Sequence, residues 1–274
     1  MAAPRPLDIG IIGGVGQQLE LQDVEELDVP TPYGPTSTAV RVGTLGSKRV
    51  AYVIRRGVGD ALQPHLVPFR ANVWALASLG VTSLITTTAA GGLRDSFPPG
   101  MFVVPDQVID TTSGRALTFY DEDVVFELAP ADPFDPTLRG LAAEALGQQA
   151  VRYRDFGTAV VIDGPRFSTR AESRWHAAQG GDLVVTTLMP ETVLALELGM
   201  GVVNVSFVTD SDAGASGHPA EAVSQDLVRR RVAQARPVLV RTVTEIAHRI
   251  PAGFRPSTAV PSDAIAGVLA RDPR

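Results

Sequence analysis

Four apolar runs, Ile9 to Ile12, Val81 to Thr88, Leu183 to Thr187 and Val202 to Val208, do most to restrict what this chain can become. Each is apolar along nearly its whole length instead of alternating with polar residues, as expected for strands of a sheet covered on both faces. Two of them run straight into glycine-rich turns, Gly13-Gly14-Val15-Gly16 and Ala89-Ala90-Gly91-Gly92, where the backbone can approach a ligand closely. Helical patterns separate the strands. Phe69 to Leu79 closes on Gly80, and Asp135-Pro136 offers an N-cap and first-turn proline to a helix carrying Leu138, Leu141, Ala145 and Leu146 on one face. Further helices are expected near Thr169 to Gln179 and Glu191 to Leu198, and a long one from Ser224, bent at Pro237. Alternation of this kind implies an α/β fold in which helices sandwich the sheet.

Smaller features complete the outline. Thr38 to Val42 and Arg49 to Ile54 read as a hairpin, Met101 to Ile109 as a strand interrupted by Pro105, Thr158 to Ile162 as another strand, and Tyr120 to Pro136 as a surface loop. A chain of 274 residues with 45% hydrophobic and 20% charged residues supports one core, taken as residues 1–250, with a weakly specified tail over 251–274. The net charge of −6 gives no general attraction to nucleic acid or to an anionic membrane. Without cysteine there is no disulfide framework and no thiolate nucleophile or metal site. His65, His176, His218 and His248 lack metal-ligand spacing, so no metal is expected. No run approaches the ~20 apolar residues of a membrane span, and no targeting signal is read at the start, so a cytoplasmic protein is expected.

Three places carry candidate chemistry. The first glycine turn suggests dinucleotide binding, but the third glycine of the G-x-G-x-x-G pattern falls on Leu19, and Pro30 and Pro32 spoil the helix that should follow. Arg55-Arg56 ends an apolar strand beside Gly57, placing two guanidinium groups at the carboxyl edge of the sheet; solvated strand-end arginines would look the same. Asp210-Ser211-Asp212 ends another apolar strand, where two carboxylates carry a desolvation cost unless they meet donors, such as the amino group and protonated N7 of a 6-aminopurine; a solvated loop is the other possibility.

In order along the chain, Gly13-Gly14-Val15-Gly16, Thr31-Pro32-Tyr33-Gly34, Arg55-Arg56-Gly57, Pro68-Phe69-Arg70-Ala71-Asn72, Thr87-Thr88-Ala89-Ala90-Gly91, Gly164-Pro165-Arg166-Phe167-Ser168-Thr169-Arg170-Ala171-Glu172, Pro190-Glu191 and Thr209-Asp210-Ser211-Asp212 resemble the purine nucleoside and methylthioadenosine phosphorylase family. The resemblance implies a three-layer α/β sandwich around a mixed, partly barrel-like sheet, assembled as a homotrimer. It implies phosphorolysis of a 6-aminopurine nucleoside, such as adenosine or methylthioadenosine, in purine salvage, with orthophosphate as co-substrate and no cofactor. It places phosphate against Val15, Arg55, Arg56, Thr88, Ala89 and Thr187. The nucleoside falls against Phe167, Thr186, Gln225 and Val228, with Asp210 serving N7 and Asp212 the amino group.

The departures from the family pattern fall at the phosphate and sugar. Val15 replaces a hydroxyl residue, Arg56 and Asp60 replace histidines, Thr186 replaces a methionine, Val185 an asparagine, and Gln225 brings polarity where an apolar side chain is usual near the 5′ substituent. Hydrolysis of the same bond is the alternative reading, and a nucleoside-binding protein without turnover is a third.

Overall fold

A computed structural model describes residues 7–14, 19–121, 125–213 and 223–273. Val15, named above for phosphate, and His218 lie outside the described residues. The chain forms strands β1 (Ile9–Gly13), β2 (Gln22–Leu27), β3 (Val40–Leu45) and β4 (Lys48–Ile54), helix α1 (Phe69–Ser78), then β5 (Ser83–Gly92), β6 (Phe102–Val103) and β7 (Gln107–Asp110). Helix α2 (Pro136–Gly147), β8 (Tyr153–Arg154), β9 (Thr158–Val161), α3 (Arg170–Ala178), β10 (Leu183–Val185), α4 (Glu191–Glu197), β11 (Gly201–Asp210), α5 (Gln225–Arg249) and α6 (Ser262–Leu269) follow.

The strands make one mixed sheet ordered β2-β3-β4-β1-β5-β10-β9-β7, and a branch through β11, β6 and β8 leaves it at β5. The described ladder does not close on itself. Its centre is parallel: β1 lies between β4 and β5, and β5 pairs in parallel with β11. Side chains alternate across it as strand geometry requires. Ile9, Ile11, Val50, Tyr52, Val203 and Val205 join α2 and α5 on one face, whereas Ile12, Ala51, Val53 and Val202 join α1 and α4 on the other. Fully burying each such aliphatic side chain contributes about 1.5–3 kcal/mol, so both faces must be covered, and three layers result.

Local signals explain the helix starts. Asp135 caps α2 by accepting from the Leu138 amide at 2.9 Å, with Pro136 in the first turn. Thr169 and Glu172 form a reciprocal capping box on α3, and Ser224 caps α5. Four stretches add detail to the expectations. Met101 to Ile109 is not one strand: β6 pairs with β11 and β8 while β7 pairs with β9, so Pro105, which cannot donate to a ladder, stands where the chain changes branches. Helix α5 passes through Pro237 as a single element. Ala233, whose carbonyl loses its helical donor there, is exposed, and water can replace that bond. The stretch after Phe119 is anchored in the core by buried Tyr120 and Phe134 at its two ends. Residues 251–273 also pack firmly: Val260 and Val268 join the core, Trp74 Nε1 donates to the Val268 carbonyl at 3.1 Å, and Arg271 bonds the Tyr33 hydroxyl and the Phe119 carbonyl.

Candidate active site

The carboxyl ends of β4, β1, β5, β10 and β11 converge on one cavity of about 310 Å³, closed on another side by the first turn of α5. Arg55, Arg56, Thr88, Ala89, Thr187, Phe167, Thr186, Gln225, Val228, Asp210 and Asp212 all line it. His65, His176 and His248 do not, and among the described residues no cluster of three or more His, Cys, Asp or Glu side chains is arranged to hold a metal ion. Ligands of open α/β sheets commonly sit at such strand ends.

The base end is built from β5 and β11. Asp210 pairs in register with Gly91, and a Cβ on Gly91 would stand 3.1 Å from Asp210 Oδ1 and 3.1 Å from Asp212 Cβ. A side chain at this position would crowd both acids, and glycine leaves them room. Asp210 is buried, its Oδ2 lies 2.7 Å from the Thr209 hydroxyl, and the Asp212 amide also donates to it. Burial pushes the Asp210 carboxyl up to about 6, against the Thr209 hydrogen bond and with help from the neighbouring Asp212 charge. Asp212, at a backbone φ of +41°, accepts from the Ser173 hydroxyl on α3. Phe167 lines the cavity and stands partly in solvent at 44% exposure. Beside it, the buried Ser168 hydroxyl has no protein partner among the described residues.

At the anion end Arg55 lines the cavity but spends most of its donors inside the protein. The expected guanidinium emerging at the sheet edge turns inward instead, and the residue is 1% exposed. It donates to both carboxylate oxygens of Glu191 at 2.7 Å, to the Thr87 carbonyl at 2.8 Å and to the Ile12 carbonyl at 3.2 Å. Four of its five N–H groups are therefore engaged within the protein. The remaining one is on Nη1, which lies 3.5 Å from where a Cβ on Gly14 would stand. Glu191, at the start of α4, is equally buried; desolvation pushes its carboxyl up and Arg55 draws it down. The motif Pro190-Glu191 contained this residue, but nothing in the sequence pointed to the strand it would meet.

Arg56 behaves differently. Its Nε donates to the Leu62 carbonyl at 2.8 Å, and its terminal amino groups have no hydrogen-bond acceptor among the described residues. Its pKa is lowered chiefly by burial; Asp60 opposes this, and Arg229 adds repulsion. Thr88 closes the floor: its hydroxyl bonds Ser206 at 2.8 Å, and Ser206, Asn204 and Thr86 continue a buried polar chain between β5 and β11. Such a satisfied network fixes the strand ends that present Thr88 and Ala89. Gly14 donates from its amide to the Thr87 hydroxyl at 3.1 Å.

Comparison with known proteins agrees with this geometry. Residues 8–245 match the phosphorylase superfamily. Over 207 residues the chain is 50% identical to an S-methyl-5'-thioadenosine phosphorylase of Mycolicibacterium smegmatis, covering 75% of this chain and 78% of that protein. It is 42% identical over 238 residues to a purine nucleoside phosphorylase of Streptomyces coelicolor, covering 84% of each. The methylthioadenosine phosphorylase from Schistosoma mansoni in complex with tubercidin superposes with a TM-score of 0.84 at 32% identity, over 96% of each chain. With its strand-end cavity and these relatives, the chain belongs to the phosphorylase superfamily, as a pentosyltransferase of the purine nucleoside phosphorylase type.

Proposed function

We propose that the protein cleaves the N-glycosidic bond of a 6-aminopurine nucleoside, adenosine or a 5′-substituted 5′-deoxyadenosine such as methylthioadenosine, by phosphorolysis. The observation that carries this reading is the pairing, in one cavity, of a protonatable acid at Asp210 with cationic and hydroxyl groups at Arg56, Thr88 and Thr187. Breaking the bond makes the sugar positive and the purine negative. Orthophosphate beneath the sugar stabilises the first charge and its oxygen forms the new bond to the anomeric carbon. Asp210 gives its proton to N7 as the electron pair of the old bond moves onto the base, so free base leaves neutral. Asp212, held by Ser173, accepts from the 6-amino group.

Orthophosphate is a co-substrate in this scheme, and no cofactor or metal takes part. The working form is a homotrimer in the cytoplasm, with residues 1–250 as the catalytic domain and 251–274 as a tail clasped to it. Exposed large apolar side chains, among them Val58, Leu66, Phe156 and Trp175, support assembly. Among the described residues no helix is long and apolar enough to cross a membrane.

The second reading is hydrolysis, favoured by the neutralisation of Arg55 by Glu191, which leaves the anion end with fewer free donors. Incubation with methylthioadenosine or adenosine, with and without orthophosphate, separates the two. Phosphorolysis requires phosphate-dependent release of adenine with a ribose 1-phosphate product. Equal release without phosphate would establish hydrolysis, and binding without release would overturn both.

A further inference from the structure

We infer that Ser206 is a positioning residue for the attacking anion: by supplying a proton to Asn204 it frees the proton of the Thr88 hydroxyl for phosphate. This deepens the phosphorolysis reading and rests on it. Strands β5 and β11 run parallel in a register that sets Thr86 beside Asn204 and Thr88 beside Ser206. Residues two apart on a strand point the same way, so the four side chains share one face of the sheet. Thr88 is the one of them that lines the catalytic cavity, and Asn204 and Ser206 are 0% exposed behind it. Two polar side chains between the valines of β11 carry a desolvation cost that alanine or valine there would not, and their bonds lead to a single cavity hydroxyl.

Counting protons gives the chain its direction. The Thr86 hydroxyl gives its one proton to the Val203 carbonyl at 3.3 Å, so it accepts from Asn204 Nδ2 at 2.9 Å. That turns Asn204 Oδ1, which can only accept, toward Ser206 at 2.7 Å and Thr88 at 3.3 Å. A buried acceptor needs a donor, and these two hydroxyls are the ones it meets among the described residues. Ser206 is the nearer and supplies the proton. Thr88 then has its own proton to direct, onto Ser206 at 2.8 Å before the anion arrives and onto the anion once it is bound, as a charge-assisted hydrogen bond. Without the Ser206 hydroxyl, Asn204 Oδ1 claims the Thr88 proton, and the cavity meets a lone pair that opposes an oxyanion. Valine at position 15 supplies no side-chain donor in the first glycine turn, so the phosphate depends the more on Thr88.

The test is calorimetric titration of orthophosphate into the wild type, S206A, T88V, T88V/S206A and S206A/N204L, with Kd taken per folded site. S206A should weaken phosphate at least about tenfold, the factor that each 1.4 kcal/mol of binding supplies. T88V should do the same by removing the donor itself. The T88V/S206A pair should bind within about threefold of T88V alone, because both changes remove one contact. S206A/N204L removes the competing acceptor as well, so it should return to within about threefold of the wild type, and the KM for orthophosphate should follow the same order. A role confined to packing within β11 gives the opposite pattern, with the two double variants weakest. Unchanged affinity in S206A, an equal further loss in the T88V background, or no recovery in S206A/N204L would each overturn the inference, while phosphate binding by the wild type leaves the phosphorolysis reading standing. A wild-type protein that binds no orthophosphate would sink that reading, and the inference with it.

Discussion

Arg55 and Asp210 are both buried charged side chains at the carboxyl ends of strands of the same sheet, β4 and β11, with β1 and β5 between them, and their surroundings are opposite. Arg55 meets a bidentate carboxylate and two carbonyls, so its charge is cancelled inside the protein. Asp210 has a hydroxyl and an amide as donors, with a second carboxylate close by, so its charge is opposed and the proton is retained up to about pH 6. A buried charge that is fully matched belongs to the scaffold, whereas one left under strain is poised for chemistry. On the proposed function, the Arg55–Glu191 pair holds the anion end in shape and Asp210 meets the base.

The largest effect should come from breaking the matched pair. Glu191→Ala leaves a guanidinium buried without its anion, which costs about 3–5 kcal/mol. Urea unfolding should show that loss, while Arg55→Met/Glu191→Leu, which removes both charges and keeps the volume apolar, should recover most of it. A Glu191→Ala midpoint close to wild type would mean that the pair is not structural. Arg55→Ala, which orphans Glu191, should also fail mainly in folding, and a pure loss of phosphate affinity would restore the sequence-based view of Arg55 as a phosphate ligand.

Removing the strained charge has the reverse sign for stability. Asp210 titrates near 3.8 in an unfolded chain and near 6 in the fold, so the folded state binds its proton more tightly. Below pH 3.8 the residue is neutral in both states and carries no penalty. The penalty grows between pH 4 and 6 and is constant above, at about 3 kcal/mol for a shift of roughly two units. Asp210→Asn should therefore gain stability over wild type across that window and keep the gain at pH 7.5, while turnover falls roughly 10²–10⁴-fold for want of the N7 proton donor. Melting temperatures of the two proteins at pH 5 and pH 7.5, with rates of adenine release, check both halves. A variant less stable than wild type at pH 7.5 would show that Asp210 is not strained.

These two regions also differ in how much of them can be read from the sequence. The apolar strands, their glycine turns and the acids at Asp210 and Asp212 are local patterns, and the fold follows from them. The pairing of Arg55 with Glu191 spans 136 residues and depends on where packing against α1 and β11 sets α4, which no local pattern records. Strand β2 escaped because Gln22–Leu27 is an exposed edge strand without apolar alternation, and its acids Glu25 and Glu26 argue against a strand. Helix α6 escaped because its anchor is one buried side chain, Val268, together with a carbonyl bonded by distant Trp74. Arg229 escaped as well, since the cavity it borders exists only once α5 lies against the strand ends.

Arg56 gives a smaller contrast with its neighbour in sequence. Its terminal amino groups are unspent, so Arg56→Ala removes a charge-assisted contact to phosphate of about 1.5–3 kcal/mol and should raise the KM for phosphate at least about tenfold. The urea midpoint should hardly move, because the only hydrogen bond lost among the described residues is that from Nε to the Leu62 carbonyl. A large drop in stability with normal phosphate use would make Arg56 a second scaffold arginine.

The smallest effect expected is on base selectivity, and it separates the two acids from each other. Asp212 is fixed by Ser173 and by the close packing over Gly91, so its carboxylate cannot swing away from a poorly matched base. A carboxylate accepts and does not donate, which suits the amino group of adenine and opposes the O6 of hypoxanthine. Adenosine-type nucleosides should therefore be preferred over inosine-type ones by more than about tenfold in kcat/KM, equivalent to roughly 1.4 kcal/mol of transition-state binding. Asp212→Asn supplies an amide that can present either a donor or an acceptor, so the ratio should fall toward unity while turnover of adenosine changes less than in Asp210→Asn. Ser173→Ala should act in the same direction more weakly, by loosening Asp212 without altering its charge. Kinetics of adenosine and inosine on the three proteins decide the matter: a wild type indifferent to the two bases, or an Asp212→Asn variant that keeps the full preference, would remove Asp212 from base recognition and leave Asp210 as the single acid that touches the purine.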